Sequence, residues 1–492
     1  MFTAMDNPMF LIGAALVMAL VACLAIGGLQ GGRFLDRLRG SSRKVPSAKT
    51  PPPDFSEKRP SSPPYSKILP PSLREALYTV AKAGIPDSQR AALAPQELAD
   101  ETMLRSILPM TESYKACIGT RFTPTGFSTE EIKALGDFPD YATLSGVPLP
   151  EPYLEFDINK ALPRPYRPFR WNYHQTMSLT KLESNWWLEL ENTYRDRLVQ
   201  RKALYEKHGK SVLNMLPGAE LACKELMEMV IQFLCARYPH YFSLSNDKRY
   251  FTNSILDIVE DLHDKDPLIV LMHHVPEDFG IMLRDESGYY FLRAGCICSS
   301  LGWNLGSKMG MQLHEIHEPI PDYKEKMRFS MDRYFAKMPT DRPIQRGSWG
   351  LEVEQPLFMP PGDPHEQYRY SQSPSLDISS CYLRVDWQTL RRLPLSGAII
   401  FNFKAVFTPV TEFRDEPGVP ALIAKVLKDG KRSIMEYKNT WHTEHVVLPA
   451  LEKWAIEQEE NGIIEKGWKV ETLEESPYFK GWEEKWHRQQ GF

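Results

Sequence analysis

The sequence predicts an α+β protein built on an antiparallel sheet flanked by helices and preceded by one transmembrane helix. Three observations lead there. Residues 8–29 carry no charged side chain; apolar residues recur at helical spacing through residues 184–238; and β-rich runs bounded by turn residues gather between residues 268 and 407. Those runs do not alternate strand with helix, and no Gly-x-Gly-x-x-Gly turn opens a helix, which excludes a nicotinamide-binding α/β domain. No internal repeat is visible.

Composition narrows the class further. The chain has 492 residues, 42% of them hydrophobic, which is ample for a buried core. A net charge of -4 excludes a general nucleic-acid binder, whose basic excess would be concentrated on one face. The seven cysteines (Cys23, Cys117, Cys223, Cys235, Cys296, Cys298 and Cys381) form neither a dense disulfide framework nor paired zinc knuckles, so the body is expected in a reducing compartment. Cys296 and Cys298, one residue apart, point the same way on a strand and read as small buried side chains.

About 20 apolar residues are what a helix needs to cross the hydrocarbon of a bilayer, and residues 8–29 supply them. Only Asp6 precedes this run, whereas Arg33, Arg37, Arg39, Arg43 and Lys44 follow it. The positive-inside bias therefore expects a single-pass protein with its C-terminal body in the cytosol, and the endoplasmic reticulum is the expected membrane. The competing reading is a cleaved signal peptide; it lacks a basic n-region, and its apolar run is too long. Residues 45–72 hold three proline clusters among Ser and Lys, a composition that favours extended polyproline geometry. About 28 such residues reach up to about 85 Å.

The folded body is expected to begin near Leu73. Residues 73–83 and 128–135 read as short helices, the second opened by the capping box Ser128-Thr129-Glu130-Glu131. Residues 148–168 are too proline-broken for regular structure. Helices over residues 184–238 are expected to cover a sheet made from strands 268–275, 279–284 and 289–299, with Asp285-Glu286-Ser287-Gly288 as a hairpin turn. A helix over 323–338 then separates these from strands 381–389 and 397–407. Thr443 is expected to cap a helix over 444–459.

Several chemical motifs fail on inspection. Gly302 to Lys308 (GWNLGSK) breaks the order of a phosphate loop, and no Gly-x-Ser-x-Gly elbow exists. His442 and His445, and likewise His314 and His317, stand three residues apart, a spacing that could share a metal on a helix face. The second pair precedes Pro319 and Pro321, where a helix cannot continue, so its imidazoles sit on a rigid turn.

One ordered constellation remains. It comprises Arg167-Pro168-Phe169-Arg170, Val275-Pro276-Glu277-Asp278, Trp303 with Lys308 and Gly310, Ile316-His317-Glu318-Pro319-Ile320-Pro321, and Gln388-Thr389-Leu390-Arg391-Arg392-Leu393-Pro394. This set, spread over residues 130–450, resembles the haem-dependent oxidative N-demethylase alpha-subunit-like family. The resemblance implies a PAS-like sheet turned into a pocket for haem b, where the iron and dioxygen oxidise a small methylated amine. It divides the chain into an anchor (1–32), a basic and Pro-rich linker (33–72), a helical extension (73–150), the PAS-like domain (151–450) and a helical tail (451–492).

Such a pocket needs an axial ligand, cations for the propionates, an apolar shell and a polar group for the substrate. His317 is the expected ligand to the metal, with a plain turn histidine as the alternative and His314, His273 and His274 in reserve. Arg384, Arg391 and Arg392 are expected to pair propionates, although Arg391 and Arg392, adjacent on a strand, face opposite ways. Glu277 or Asp278 is expected to anchor the ammonium of the substrate, unless either merely caps a turn. Trp387 stands where the family pattern carries arginine, and Pro276 where it carries glutamine, which bears on the substrate. With no flavin, nicotinamide or iron–sulfur motif, electrons must come from a separate reductase or from peroxide, and the tether favours a lipophilic substrate. The rival reading is a non-catalytic haem or ligand sensor, or an interaction protein.

Overall fold

The computed structural model describes residues 65–73, 104–171 and 177–492. The expected anchor at residues 8–29, the linker up to residue 64 and the helix over 73–83 (beyond Leu73) lie outside the described residues. Among the described residues no helix is long and apolar enough to cross a membrane.

Ten strands are described: β1 (Thr180–Lys181), β2 (Leu213–Met215), β3 (Phe242–Leu244), β4 (Tyr250–Asn253), β5 (Ile258–Asp261), β6 (Asp278–Arg284), β7 (Tyr290–Cys296), β8 (Ile344–Val353), β9 (Cys381–Arg392) and β10 (Ile399–Pro409). Seven make one antiparallel sheet in the order β1-β8-β9-β10-β6-β7-β2, and β3-β4-β5 make a small second sheet. The α+β class and the flanking helices are as expected.

Local signals decide several elements. Ser128 Oγ accepts the Glu131 amide at 3.1 Å while Glu131 Oε2 accepts the Ser128 amide at 2.7 Å, so the predicted capping box opens the helix Thr129–Leu135. The β6–β7 turn closes on Asp285, whose carboxylate accepts from Ser287 Oγ and from the Tyr289 amide. Gly288, at φ +88°, could carry no side chain there, because a Cβ would fall 2.3 Å from the Tyr65 backbone. The same hairpin holds the end of the linker, since Arg284 donates to the carbonyls of Ile68, Tyr65 and Ser66.

Two expectations are corrected, and two helical ones hold with added detail. Residues 268–275 form not a strand but the helix Pro267–His274: Asp266 caps it by accepting the Leu268 amide at 2.8 Å, and Pro267 sits in its first turn. A continuous apolar run buried on all sides suits either element, and the cap selects the helix. The helical stretch 184–238 is two helices, Tyr194–His208 and Glu220–Arg237, with β2 between them. The helix over 323–338 opens with a wide turn at Tyr323–Met327 before Arg328–Lys337 becomes regular. The C-terminal helix runs Trp441–Glu460, with Thr440 at its start and the Thr443 hydroxyl donating to the Thr440 carbonyl instead of capping.

The two faces of the large sheet bury different cores. One carries Ile281, Ile400, Leu383 and Leu351 against the helices Tyr194–His208, Glu220–Arg237 and Val419–Asp429. The other carries Met282, Leu390, Ile399 and Phe403 against Leu313, Tyr323, Met331 and Phe335. The C-terminal tail packs on the first core's rim: Trp486 Nε1 donates to the Leu162 carbonyl at 2.8 Å, and the Phe492 ring meets Phe156.

Candidate functional site

Pleating alternates side chains across the sheet, and the β8–β9–β10 register shows which residues share a face. Arg346 pairs with Gln388, and Gln388 with Phe403, so these three stand together beside Phe401 and Met282. Asn402, Lys404, Thr389 and Arg391 stand on the opposite face. The strand–turn–strand order that builds this arrangement depends on Gly397, at φ +72°, and on the Leu393 amide donating to the Ala398 carbonyl.

His317 lies over the first of these faces. It ends the one-turn helix Leu313–Ile316, itself opened by Gln312 and Glu315. Its Nδ1 is 2.7 Å from the Leu313 carbonyl oxygen, which can only accept, so the proton sits on Nδ1. The ring stacks on Tyr323 at 5.4 Å and 13°. Pro319 and Pro321 stop the chain from extending the helix, as the sequence implied. Burial pushes the imidazole down to about 4, with Arg346 and Lys308 adding to the depression against the opposing Leu313 bond. The ring is therefore neutral at physiological pH, oriented, and with no described hydrogen bond at Nε2.

Around it lie two cations, apolar walls and one orphaned acceptor. Lys308 and Arg346 are near enough to act on His317 electrostatically. Trp303, Met309, Ile316, Ile320, Ile344 and Phe401 are partly buried and pack on this core. Trp303 lies 6.5 Å from Phe403, and Phe403 5.4 Å from Phe401, between ring centroids. Gln388 Oε1 is buried without a hydrogen-bond partner. Lys308 entered the sequence reading only in the rejected phosphate loop and within the resemblance, and Arg346 not at all, because β8 carries Gly347 and Gly350 and lacks a clean apolar alternation.

The remaining expected site residues lie elsewhere or are already engaged. Glu277 is fully buried behind the sheet: Oε2 accepts from Asn402 Nδ2 at 2.7 Å and Oε1 from the Glu189 amide at 3.1 Å. Burial pushes its carboxyl up to about 7, opposed by Lys404. Asp278 accepts from Arg201 Nη1, Ser299 Oγ and the amides of Cys298 and Ser299. The same Arg201 donates to Cys296 Sγ at 3.1 Å, so Cys296 is buried but polar-partnered. Arg384 donates to Asp386 and to the carbonyls of Pro356, Leu357 and Ser299. Arg392, with no exposed surface, donates to the carbonyls of Met338, Gly397 and Phe335 and to Tyr290 Oη. Arg391 is on the far face, over Trp187.

Four of the other histidines are engaged away from His317. His273 and His274 face Glu260 of the small sheet, at 3.4 and 3.5 Å. His442 Nδ1 pairs with the Asn439 carbonyl and His445 Nε2 with that of Ser373. Among the described residues no group of three or more potential metal ligands exists.

A prosthetic group that brings its own equatorial ligands needs only one imidazole from the protein, together with an apolar wall and cations for its carboxylates. The His317 face offers all three, and Gln388 Oε1 marks a buried polar position with no partner among the described residues. These residues fit a haem. Independently, residues 178–448, more than half of the chain, match the family described as haem-dependent oxidative N-demethylase, alpha subunit-like. The chain belongs to that family.

Proposed function

We propose that this chain binds haem b on the His317 face of a PAS-like sheet and oxidatively removes an N-methyl group from an amine. The observation that carries the reading is the state of His317: its Nδ1 proton is committed to the Leu313 carbonyl and its Nε2 lone pair is free at neutral pH. A neutral imidazole oriented through its other nitrogen is the form that ligates a metal. Family membership supports the haem and the demethylase-like chemistry.

When bound, the haem supplies iron-centred oxidation with dioxygen, which the side chains cannot perform. His317 would hold the haem iron through its free ring nitrogen, and its stack on Tyr323 fixes the ring. Lys308 and Arg346 are the cations offered to the propionates. Trp303, Phe401 and Phe403 line the face and exclude water. Gln388 Oε1 accepts from the N–H of an ammonium substrate. The anchoring carboxylate expected in Glu277 or Asp278 has no part here, because both groups are bonded within the protein. In the net reaction the methyl carbon leaves as formaldehyde, one oxygen atom of dioxygen ends there and the other in water. Two electrons and two protons come from a separate reductase. The apolar run at residues 8–29 would hold both partners at a membrane and favour a lipophilic amine.

The test is to supply the purified full-length chain with haem and record its visible spectrum. A stoichiometric haem band is expected, altered in His317→Ala. Given an electron donor and methylated amines, formaldehyde is expected. A chain that stays colourless in the presence of haem would overturn the reading, and an unchanged spectrum in His317→Ala would remove the ligand assignment.

A further inference from the structure

On the face of the sheet away from His317, Arg391 stands without a hydrogen bond. Its side chain is only 6% exposed, its guanidinium lies 4.0 Å above the centroid of the Trp187 ring, and its Nε is buried without a partner. Five N–H donors in a buried guanidinium ordinarily find acceptors, and an unpaired buried charge is costly. Trp187 Nε1, in the same place, is also buried and unpartnered. Glu225, the carboxylate near enough to offset the burial of Arg391, instead accepts the amides of Leu395 and Ser396 at 2.6 and 2.8 Å. Two neighbouring side chains thus offer only donors, and among the described residues neither buried N–H has an acceptor.

Both line one cleft, whose other walls include Leu149, Leu182, Met229 and Phe233. We propose that it is a binding site for a small apolar monocarboxylate, with the carboxylate against Arg391 and Trp187 Nε1 and the hydrocarbon part against Leu182, Met229 and Phe233. Glu183 and Gln232 also line the cleft, and the Glu183 carboxylate is engaged with Lys181 at 3.0 Å, which leaves the Arg391 guanidinium and Trp187 Nε1 as the buried groups without a described partner. A guanidinium fork matches a carboxylate in two parallel bonds, and the stacked indole keeps the fork planar and fixed. Burial lowers Arg391 only to about 10, so the cation persists at neutral pH. The site is independent of the haem reading, since no residue in it reaches the His317 face.

The experiment is calorimetric titration of the full-length chain with phenylacetate and, as the neutral isostere, phenylacetamide. Saturable binding of phenylacetate is expected, with phenylacetamide weaker by about tenfold or more, as one lost charge-assisted contact implies. Arg391→Met should abolish the difference between the two probes. Because that variant removes an unpaired buried charge, it is expected to fold, which thermal melting checks. Trp187→Phe keeps the ring and should weaken phenylacetate alone. Equal binding of acid and amide to the wild-type chain, or no saturable binding of phenylacetate, overturns the proposal whatever the variants do.

Discussion

His317 Nδ1 stands 2.7 Å from the carbonyl oxygen of Leu313, four residues earlier in the chain. The contact closes a turn that the following prolines prevent from becoming a helix, and it assigns the proton to one ring nitrogen and the lone pair to the other. Everything proposed for the His317 face depends on that assignment.

A first prediction concerns pH. The imidazole is held near 4 in the folded chain against an ordinary value of 6.5. The unfolded chain therefore binds protons that the native chain refuses, and this contribution to stability is present above pH 6.5 and lost as pH falls toward 4. Haem added to the full-length chain should stay bound from neutral pH to about 5 and be released as pH approaches 4. The check is the haem absorption band followed against pH. Release centred near pH 6.5 would mean an imidazole in ordinary solvent.

A second prediction concerns Glu277. Its carboxyl, pushed up to about 7 by burial, holds a proton that the unfolded chain gives up near 4.5, so its contribution is full below pH 4.5 and is lost as pH rises through 7. In Glu277→Gln the denaturation midpoint should vary less with pH across that window. The amide would also turn N–H against the Glu189 amide donor, costing about 1–3 kcal/mol at every pH. Urea unfolding between pH 4.5 and 8 measures both, and parallel wild-type and variant curves would exclude the titration.

The third prediction separates a structural carboxylate from a functional one. Asp278→Asn leaves the buried Arg201 guanidinium without its charge partner, and about 3–5 kcal/mol of stability should be lost. The double variant Asp278→Asn with Arg201→Met should recover much of that loss, because no buried charge is then left unpaired. A loss near that of an exposed ion pair, below about 1 kcal/mol, would contradict the buried pairing.

What the sequence determined by itself were the features settled within a few residues. The capping box of Ser128 and Glu131, the β6–β7 turn on Asp285, the antiparallel β9 and β10 with their Gly397 turn, and the rigid turn bearing His317 all form by local hydrogen bonds and steric rules. The family could be read for the same reason, since its motifs are short and ordered along the chain. The tertiary structure alone decided which groups meet. Residues 268–275 read as a strand and fold as the helix Pro267–His274, and β8, interrupted by Gly347 and Gly350, became a strand only by pairing with β9. Register is a long-range property. Pairing Arg346 with Gln388 and Gln388 with Phe403 brings a cation, an orphaned acceptor and an aromatic wall together beneath His317, from residues far apart in sequence. The same pleat sent Arg391 to the far face and left its charge facing a cleft, while Glu277 and Asp278, adjacent to the strand that builds the site, were drawn into bonds with Asn402 and Arg201.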